Sequence, residues 1–337
     1  MSFKPFLRLV RDGRLTPLLG VGADLKSFYR LTYLAAAGEA GLLGRLATGP
    51  ATLDSLAEFY AASGQGREAL EAWLQMGIRL RLLRVGPHGY TLRGRARAFA
   101  RPENDPALAM VEEVAGLHHK LISATPSRIR NGQLWSLADQ DGELIARSSR
   151  VLEAFQAEVI LRTFPKSGAL RLLEIGCGSG VYLRYAAMSN PSLTALGMEL
   201  QPAVAEMART NLRSWGLESR VKIEDGDFRA KTTGETFDIA TLYNNIYYFP
   251  VNERVALFER VTRFLRPGGF LLLITCCQGG SLAVEALNLW GAATSGAGRL
   301  PAIDELVSQL RQAGYARVTT RNLLPGDRFM SFQAFRS

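Results

Sequence analysis

The stretch Leu172-Leu-Glu-Ile-Gly-Cys-Gly-Ser-Gly180 decides the fold of this chain. It joins an apolar run, typical of a buried strand, to three glycines at alternate positions and then to a helical pattern over residues 181–188. Glycine lets the backbone approach a ligand closely, and a helix that begins there offers free N–H groups. The stretch therefore predicts a strand, a ligand-binding loop and a helix in succession.

Short apolar runs alternate with helical patterns from Ala169 onward. Strands are predicted at residues 170–175, 193–198, 221–224, 237–242 and 270–275, with helices at 181–188, 202–215 and 252–264. This alternation predicts an α/β fold in which a parallel sheet has helices on both faces. Two last strands, at 316–321 and 329–335, have no predicted helix between them, so we expect them to pair antiparallel.

The first hundred residues predict short helices followed by a hairpin. Helical periodicity around residues 31–42, 52–60 and 67–82 precedes a strand–turn–strand pattern whose turn is Gly86-Pro-His-Gly89. This order is typical of a winged helix. Residues 104–165 are mostly helical in pattern. We therefore predict a winged-helix-like domain at 1–103, a helical linker or lid at 104–165 and the α/β domain at 166–337.

Composition excludes several classes of protein. With 337 residues, 47% of them hydrophobic, the chain is long enough for two domains with buried cores. The stretch at residues 270–277, apolar apart from Thr275, is too short to cross a membrane, so neither a membrane span nor a signal peptide is predicted. Three cysteines, two of them adjacent, suit neither a disulfide framework nor a metal site, and we expect a cytoplasmic location.

Acidic side chains follow the predicted strands. Glu199 ends the second strand, where a carboxylate can accept both hydroxyls of a ribose. Asp227 and Phe228 follow the third, where an acceptor and an aromatic face suit an adenine. The glycine spacing differs from the dinucleotide fingerprint, and Glu174 before the loop suits an ammonium-bearing ligand better than a pyrophosphate. A nucleoside ligand with an ammonium group is therefore indicated.

These features, with Asp238 in the fourth strand and Arg266-Pro-Gly-Gly269 before the fifth, resemble the class I S-adenosylmethionine-dependent methyltransferases. The resemblance covers about half the chain, from roughly Ala169 onward. It implies a Rossmann-like seven-stranded sheet, methyltransferase activity and S-adenosyl-L-methionine as the cofactor. The residues that it assigns to the cofactor are Glu174, Gly176, Gly178, Glu199, Leu200, Asp227, Phe228 and Asn244.

The front half resembles, more loosely, the dimerisation domain of small-molecule O-methyltransferases of secondary metabolism, which implies a homodimer. Those enzymes usually carry a catalytic His shortly after the fourth strand, whereas this chain reads Tyr243-Asn-Asn-Ile-Tyr-Tyr-Phe-Pro250. A neutral tyrosine, with an ordinary pKa of about 10, is a poor general base at neutral pH. This departure favours a carbon or nitrogen acceptor over an unactivated oxygen, with Tyr247 or Tyr248 as the catalytic residue that orients it.

Further candidates concern the acceptor. We predict that the substrate is a small molecule and that Asn245, Arg147 and Trp290 contact it. The segment at 135–143, with Arg147 and Arg150, forms either a lid and an anion clamp for a carboxylated substrate or an ordinary loop and a charged helix face.

The remaining basic and histidine side chains are open to other interpretations. His118 and His119 are helix neighbours pointing about 100° apart, so they cannot hold one metal, and we expect a packing or surface position for both. Seven arginines and no acidic residue lie between 72 and 102, which allows a nucleic-acid-binding or nucleic-acid-modifying methyltransferase as an alternative. A sensor that binds the cofactor without catalysis is a third possibility. We favour the enzyme, and expect no nucleic-acid or membrane partner.

Overall fold

The computed structural model describes residues 3–232 and 234–336, which backbone packing divides into two compact units meeting in sequence at Gly116 and Leu117. Met1, Ser2, Thr233 and Ser337, which the predicted domains include, lie outside the described residues. The predicted domain boundaries at 103 and 165 stay a prediction. Each unit is described by itself below.

The first unit consists of helices and one hairpin. Its elements are α1 (Lys4–Arg11), α2 (Leu15–Glu39), α3 (Leu42–Ala47), α4 (Leu53–Phe59), α5 (Gln65–Arg79), β1 (Leu83–Gly86), β2 (Gly89–Leu92), α6 (Arg95–Phe99) and α7 (Asp105–Glu113). The hairpin is antiparallel, with Leu83 opposite Leu92. Leu42, Leu56 and Leu74 are fully buried in the core of this unit. The predicted order of helices followed by a hairpin is therefore present.

Helices α1 and α2 carry a large exposed apolar surface. Helix α1 has no buried residue, and Phe3 and Leu7 are 74% and 62% exposed. On α2, Leu18, Leu19 and Phe28 are also exposed. Contiguous apolar surface of this kind is unusual for a monomer and marks an interaction site.

The second unit is a sheet with helices on both faces. Its helices are α8 (His119–Arg130), α9 (Gly142–Ser148), α10 (Glu153–Thr163), α11 (Val181–Ser189), α12 (Pro202–Ser214), α13 (Arg254–Phe264), α14 (Leu282–Ala293) and α15 (Ile303–Gln312). Its strands are β3 (Leu170–Ile175), β4 (Leu193–Glu199), β5 (Val221–Asp225), β6 (Phe237–Tyr243), β7 (Leu265–Cys276), β8 (Tyr315–Asn322) and β9 (Phe329–Arg336).

In the described part of this unit, seven strands form one sheet in the order β5-β4-β3-β6-β7-β9-β8. Strands β3 to β7 pair in parallel, whereas β9 pairs antiparallel with both β7 and β8. Every residue of the central strand β6 is buried, as expected where helices cover both faces. The predicted seven-stranded sheet is confirmed. The bounds of β7 were predicted too short, since its pairing extends back to Leu265.

Asp238 and Arg266, which form part of the methyltransferase-like pattern, hold strands together. One Asp238 oxygen accepts the backbone N–H of Arg171 at 2.5 Å, and the other pairs with Arg266 Nε at 2.6 Å. The two residues therefore join β3, β6 and β7 at the end of the sheet where these strands begin. None of the described helices combines the length and the apolar character that a membrane crossing needs.

Candidate active site

A cavity of about 290 Å³ lies at the carboxyl ends of β3 to β6. This edge of a doubly wound sheet is where ligands bind in such folds. Residues that end or follow these strands form one side of the cavity, and residues of segment 137–149 with Ser295 and Gly296 form another. The strand-end residues that line it include Ile175, Gly176, Gly178, Met198, Glu199, Leu200, Gly226, Asp227, Phe228, Tyr243, Asn244 and Asn245.

The glycine loop is tied to the neighbouring strand ends. Gly176 and Gly178 have φ angles of +70° and +52°, which glycine adopts without steric cost. The Gly176 N–H donates to the Met198 carbonyl at 2.8 Å. A Cβ at Gly176 would collide with Asn245 Nδ2, which itself donates to the Ile175 carbonyl. Gly176 therefore has to be glycine both for its backbone conformation and for space.

The carboxylate of Glu199 is fixed by backbone donors. Its Oε2 accepts the N–H of Gly178 at 3.0 Å, and its Oε1 accepts the N–H of Gln201 at 3.1 Å. Because a carboxylate oxygen can accept more than one hydrogen bond, both oxygens keep capacity for ligand hydroxyls. Leu200, beside it, is 47% exposed and also lines the cavity.

Asp227 and Phe228 lie together at the end of β5. Burial raises the pKa of Asp227, but hydrogen bonds from Arg229 outweigh this and hold the pKa below its usual range. The ion pair between Arg229 Nη2 and Asp227 Oδ2 measures 2.8 Å. The Phe228 ring is buried against Phe264, with ring centroids 5.1 Å apart. An ionised acceptor and an apolar surface therefore adjoin this end of the cavity.

Buried acceptors without donors surround the glycine loop. Glu174 is 1% exposed; its Oε2 accepts a hydrogen bond from Thr241 Oγ1 at 3.5 Å, while its Oε1 has no partner among the described residues. Burial raises the pKa of Glu174 well above its usual range. Asn244 Oδ1 and Asn245 Oδ1 are also buried without a partner in the described part of the chain. Unsatisfied buried acceptors are costly, and they fit a ligand that carries a positive charge or N–H groups.

Tyr247 and Tyr248 line the other end of the cavity. They belong to the helical turn Ile246–Tyr248, and their ring centroids are 4.7 Å apart. Gln140 Nε2 donates to the Tyr248 hydroxyl at 2.8 Å. The cavity-lining residues in the described ranges that carry charge are Glu199, Asp227 and Arg229. Arg229 pairs with Asp227, and its guanidinium also lies 5.7 Å from the centre of the Phe249 ring. We call the region around the two tyrosines the acceptor end; no histidine or lysine lines it in the described structure.

Other predicted site residues lie elsewhere. Arg147 is on α9 but is not among the described residues that line the cavity, and Trp290 is buried in the core against Trp135. Arg150 pairs with Glu153 at 2.6 Å. His118, buried in the turn Val114–His118, and His119, which is exposed, are likewise absent from the described cavity lining. The structure therefore does not bring these side chains to the cavity.

The sequence pointed to the segment at 135–143, but the residues that line the cavity extend to position 149 and were not singled out. Trp135 anchors this segment, since its N–H donates to the Ala293 carbonyl at 2.8 Å and its carbonyl accepts the Ser295 N–H at 2.7 Å. The spacing i, i+3, i+4, i+7 beginning at Gly142 is the signal that predicts one helix face toward a ligand. The cavity-lining residues of the segment are Leu137, Gln140, Gly142, Ile145, Ala146 and Ser149.

Comparison with known proteins agrees with this geometry. Residues 172–269 match the profile described as a methyltransferase domain. Demethylspheroidene O-methyltransferase of Cereibacter sphaeroides is 27% identical to this chain, over 96% of the chain and 86% of that protein. The N,N-dimethyltransferase OxyT of Streptomyces rimosus is 27% identical over 77% of the chain and 80% of that protein. The structure of the mitomycin 7-O-methyltransferase MmcR superposes with a TM-score of 0.77 at 20% identity, covering 97% and 100% of the two chains.

The sheet order and the site define a class I methyltransferase fold, in agreement with the matched domain. The protein is an S-adenosyl-L-methionine-dependent methyltransferase. Solved structures of the same fold contain this cofactor or its demethylated product, S-adenosylhomocysteine.

Proposed function

We propose that the cavity binds the cofactor along β3 to β5 and an uncharged acceptor between Tyr247, Tyr248 and segment 137–149. The observation that carries this proposal is the distribution of charge in the described cavity lining, where the cation Arg229 is paired with Asp227 and the lining residues beside the two tyrosines, Gln140, Asn245 and Phe249, carry no ionic side chain. A carboxylated or strongly cationic acceptor would lose hydration there without gaining a partner. The anion clamp considered for Arg147 and Arg150 is therefore not part of the proposal.

When bound, the cofactor supplies a methyl group on a positively charged sulfur. In our proposal Glu199 accepts the ribose hydroxyls, Asp227 and Phe228 flank the adenine, and the glycine loop with Glu174 and Asn244 surrounds the methionine part. Buried acceptors near the loop suit its ammonium group. Leu200 contributes apolar contact.

The proposed role of the chain at the acceptor end is alignment. The rings of Tyr247 and Tyr248 hold the acceptor and face a cationic sulfur favourably, and Asn245 packs beside them. Burial raises the pKa of Tyr182, which also lines the cavity, so this phenol stays protonated at neutral pH and supplies no general base. An acceptor atom that is nucleophilic without a protein base fits this end, and its proton leaves to water.

Two acceptor classes meet that requirement: a weakly acidic hydroxyl, which binds uncharged and releases its proton to water on methylation, and an amine in its neutral form. The relative aligned over nearly the whole chain is named an O-methyltransferase, which favours the hydroxyl, while the relative named an N,N-dimethyltransferase favours the amine. Because these relatives include both an O-methyltransferase and an N,N-dimethyltransferase, they do not support the predicted preference for carbon or nitrogen over oxygen. We propose an acidic hydroxyl first and an amine second.

The experiment that separates them uses cofactor with a ¹³C-labelled methyl group and a metabolite extract fractionated by charge. Label is expected in the neutral fraction, and the ¹³C chemical shift of the product identifies an oxygen, nitrogen or carbon acceptor. Label confined to the anionic fraction would contradict an uncharged acceptor. Cofactor binding without any labelled product would favour the sensor instead.

The role of Glu199 is tested by calorimetric titration of S-adenosylhomocysteine. The wild type is expected to bind in the micromolar range, and Glu199→Ala to bind at least about tenfold more weakly, because two ligand hydroxyls lose their acceptor. Glu218→Ala is the matched control, since Glu218 is exposed on the same unit. Equal binding by the wild type and Glu199→Ala would remove this residue from the site.

We also propose that the protein is a homodimer in which the exposed surface of α1 and α2 is covered by a second copy. Light scattering of a dilute sample is expected to give twice 36.9 kDa. Leu19→Asp should shift the mass toward the monomer, because a charge would be buried at the interface. Leu282→Asp, at a leucine that is 90% exposed on the second unit, should leave the dimer intact. A wild-type monomer would contradict the proposal.

A further inference from the structure

Helix α13 carries two arginines whose guanidinium groups donate to backbone carbonyls of segments that line the cavity. Arg254 is the first residue of the helix and Arg260 lies almost two turns later. The first contacts the segments at the acceptor end, and the second contacts the segment after β5. One helix therefore reaches both ends of the cavity.

Arg254 is fully buried and bridges two segments. Its Nε donates to the Phe249 carbonyl at 3.3 Å, and its Nη2 donates to the Arg299 carbonyl at 2.5 Å. Phe249 lines the cavity directly after the tyrosine pair, and Gly296 lines it three residues before Arg299. The guanidinium thus connects the segment directly after the tyrosine pair, at Phe249, to the loop that contains Gly296 and Arg299.

The contact between these segments is tight. The N–H of Gly298 donates to the Tyr247 carbonyl at 2.9 Å. A Cβ at Gly298 would lie 2.8 Å from the Phe249 carbonyl oxygen and 2.9 Å from Arg254 Nη2, so only glycine fits. The position of the Tyr247 backbone is therefore set by the same few atoms that surround the guanidinium.

Burying the Arg254 guanidinium at this position costs hydration energy. Burial lowers the pKa of Arg254 to about 10, and the nearby Glu305 carboxylate only partly opposes this. The Nη1 atom is buried without a partner among the described residues. A buried cation is weak evidence for stabilisation, so the two carbonyl contacts that position the neighbouring segments are the feature of Arg254 to be tested.

Arg260 makes the corresponding contacts at the other end. Its Nε donates to the Phe228 carbonyl at 3.1 Å, and its Nη2 donates to the Lys231 carbonyl. The guanidinium also lies 5.8 Å from the centre of the Phe228 ring. Phe228 and the Asp227 before it line the cavity.

We infer that Arg254 and Arg260 are positioning residues that hold the two ends of the cavity separately, Arg254 the acceptor end and Arg260 the nucleoside end. Which ligand occupies each end rests on the function proposed above. The assignment of one arginine to each end rests on the contacts of α13, and it holds beside a direct link between the ends, in which Arg229 pairs with Asp227 and contacts Glu253 and Phe249.

The test compares Arg254→Met and Arg260→Met, which keep a long side chain but remove every donor, with the conservative variants Arg254→Lys and Arg260→Lys. Amide hydrogen exchange of the full chain, measured by mass spectrometry, is expected to rise at residues 244–253 and 294–301 in Arg254→Met only. In Arg260→Met it should rise at residues 226–232 only. Lysine should restore part of the protection, since it keeps the charge and an N–H donor group but not the planar fork of the guanidinium.

Calorimetry with S-adenosylhomocysteine provides the second readout. Arg260→Met should bind it about tenfold more weakly, while Arg254→Met stays within about twofold of the wild type. Once the labelled product has identified an acceptor, Arg254→Met should raise the KM for that acceptor more than the KM for the cofactor. A merely structural role would change both ends together.

Identical exchange patterns in the two methionine variants would overturn the inference, as would equal loss of S-adenosylhomocysteine binding. If a methionine variant fails to fold, Arg254→Gln and Arg260→Gln carry the same comparison. Absence of S-adenosylhomocysteine binding in the wild type would contradict the proposed function, while the exchange patterns would still decide whether the two ends are held separately.

Discussion

Replacing Gly176 with alanine is expected to lower kcat/KM for methyl transfer by about 100-fold or more, because the loop that faces the cofactor has to move. The φ angle of +70° strains any residue with a Cβ, and the added methyl group would collide with Asn245 Nδ2. Asn245 cannot turn away without losing its hydrogen bond to the Ile175 carbonyl. The effect therefore combines backbone strain with displacement of a residue at the acceptor end.

Gly168→Ala is the matched control for this change. Gly168 has a φ angle of +83°, but nothing lies within 4 Å of the Cβ position, and the residue precedes β3 at the opposite end of the strand. Alanine there should cost about 1–2 kcal/mol of stability through strain and leave kcat/KM and cofactor binding nearly unchanged. If the two variants have the same activity, the glycine loop does not position the cofactor.

The second large effect is expected at the acceptor end. Tyr248→Ala should lower kcat/KM by about 100-fold through lost positioning, whereas Tyr248→Phe, which keeps the ring but loses the hydroxyl that accepts from Gln140, should lower it by about tenfold. His118→Ala and His119→Ala should each lower it less than about tenfold, since neither is in the described cavity lining.

The pH profile separates alignment from general-base catalysis. With no protein histidine involved, the rate should follow the ionisation of the acceptor itself, without a limb near the ordinary histidine pKa of about 6.5. A loss of about a thousandfold in either histidine variant, with S-adenosylhomocysteine binding unchanged, would show that a base reaches the acceptor from the helical segment.

The parts of the site that the sequence predicted well are those set by local pattern. The glycines of the loop, the carboxylate at the end of β4 and the Asp227-Phe228 pair follow directly from strands whose apolar runs are continuous, and parallel strands bring their carboxyl ends to one edge. All of the predicted cofactor residues except the buried Glu174 line the cavity in the described structure, whereas Gly180, the last glycine of the loop, does not. Strand periodicity was sufficient to place them.

The wall formed by segment 137–149 was predicted only as one of two alternatives, a lid at 135–143, and its cavity-lining residues were not singled out, because the wall depends on contacts distant in sequence. Segment 137–149 reaches the cavity through the bridge between Trp135 and residues 293–295, which no local pattern indicates. On α9 the cavity-lining face is centred near Gly142, and at 100° per residue Arg147 points roughly 150° away from that face. Trp290 lies on α14, a helix not predicted, and its ring packs into the core.

The measurement that tests the central claim most directly is transfer of a radioactive methyl group from S-adenosyl-L-methionine into a metabolite extract, with the wild type and Gly176→Ala compared side by side. We predict label in an uncharged small molecule with the wild type, and about a hundredfold less with Gly176→Ala at equal folded protein. No labelled product with the wild type, or equal labelling by the two proteins, would contradict methyl transfer in this cavity.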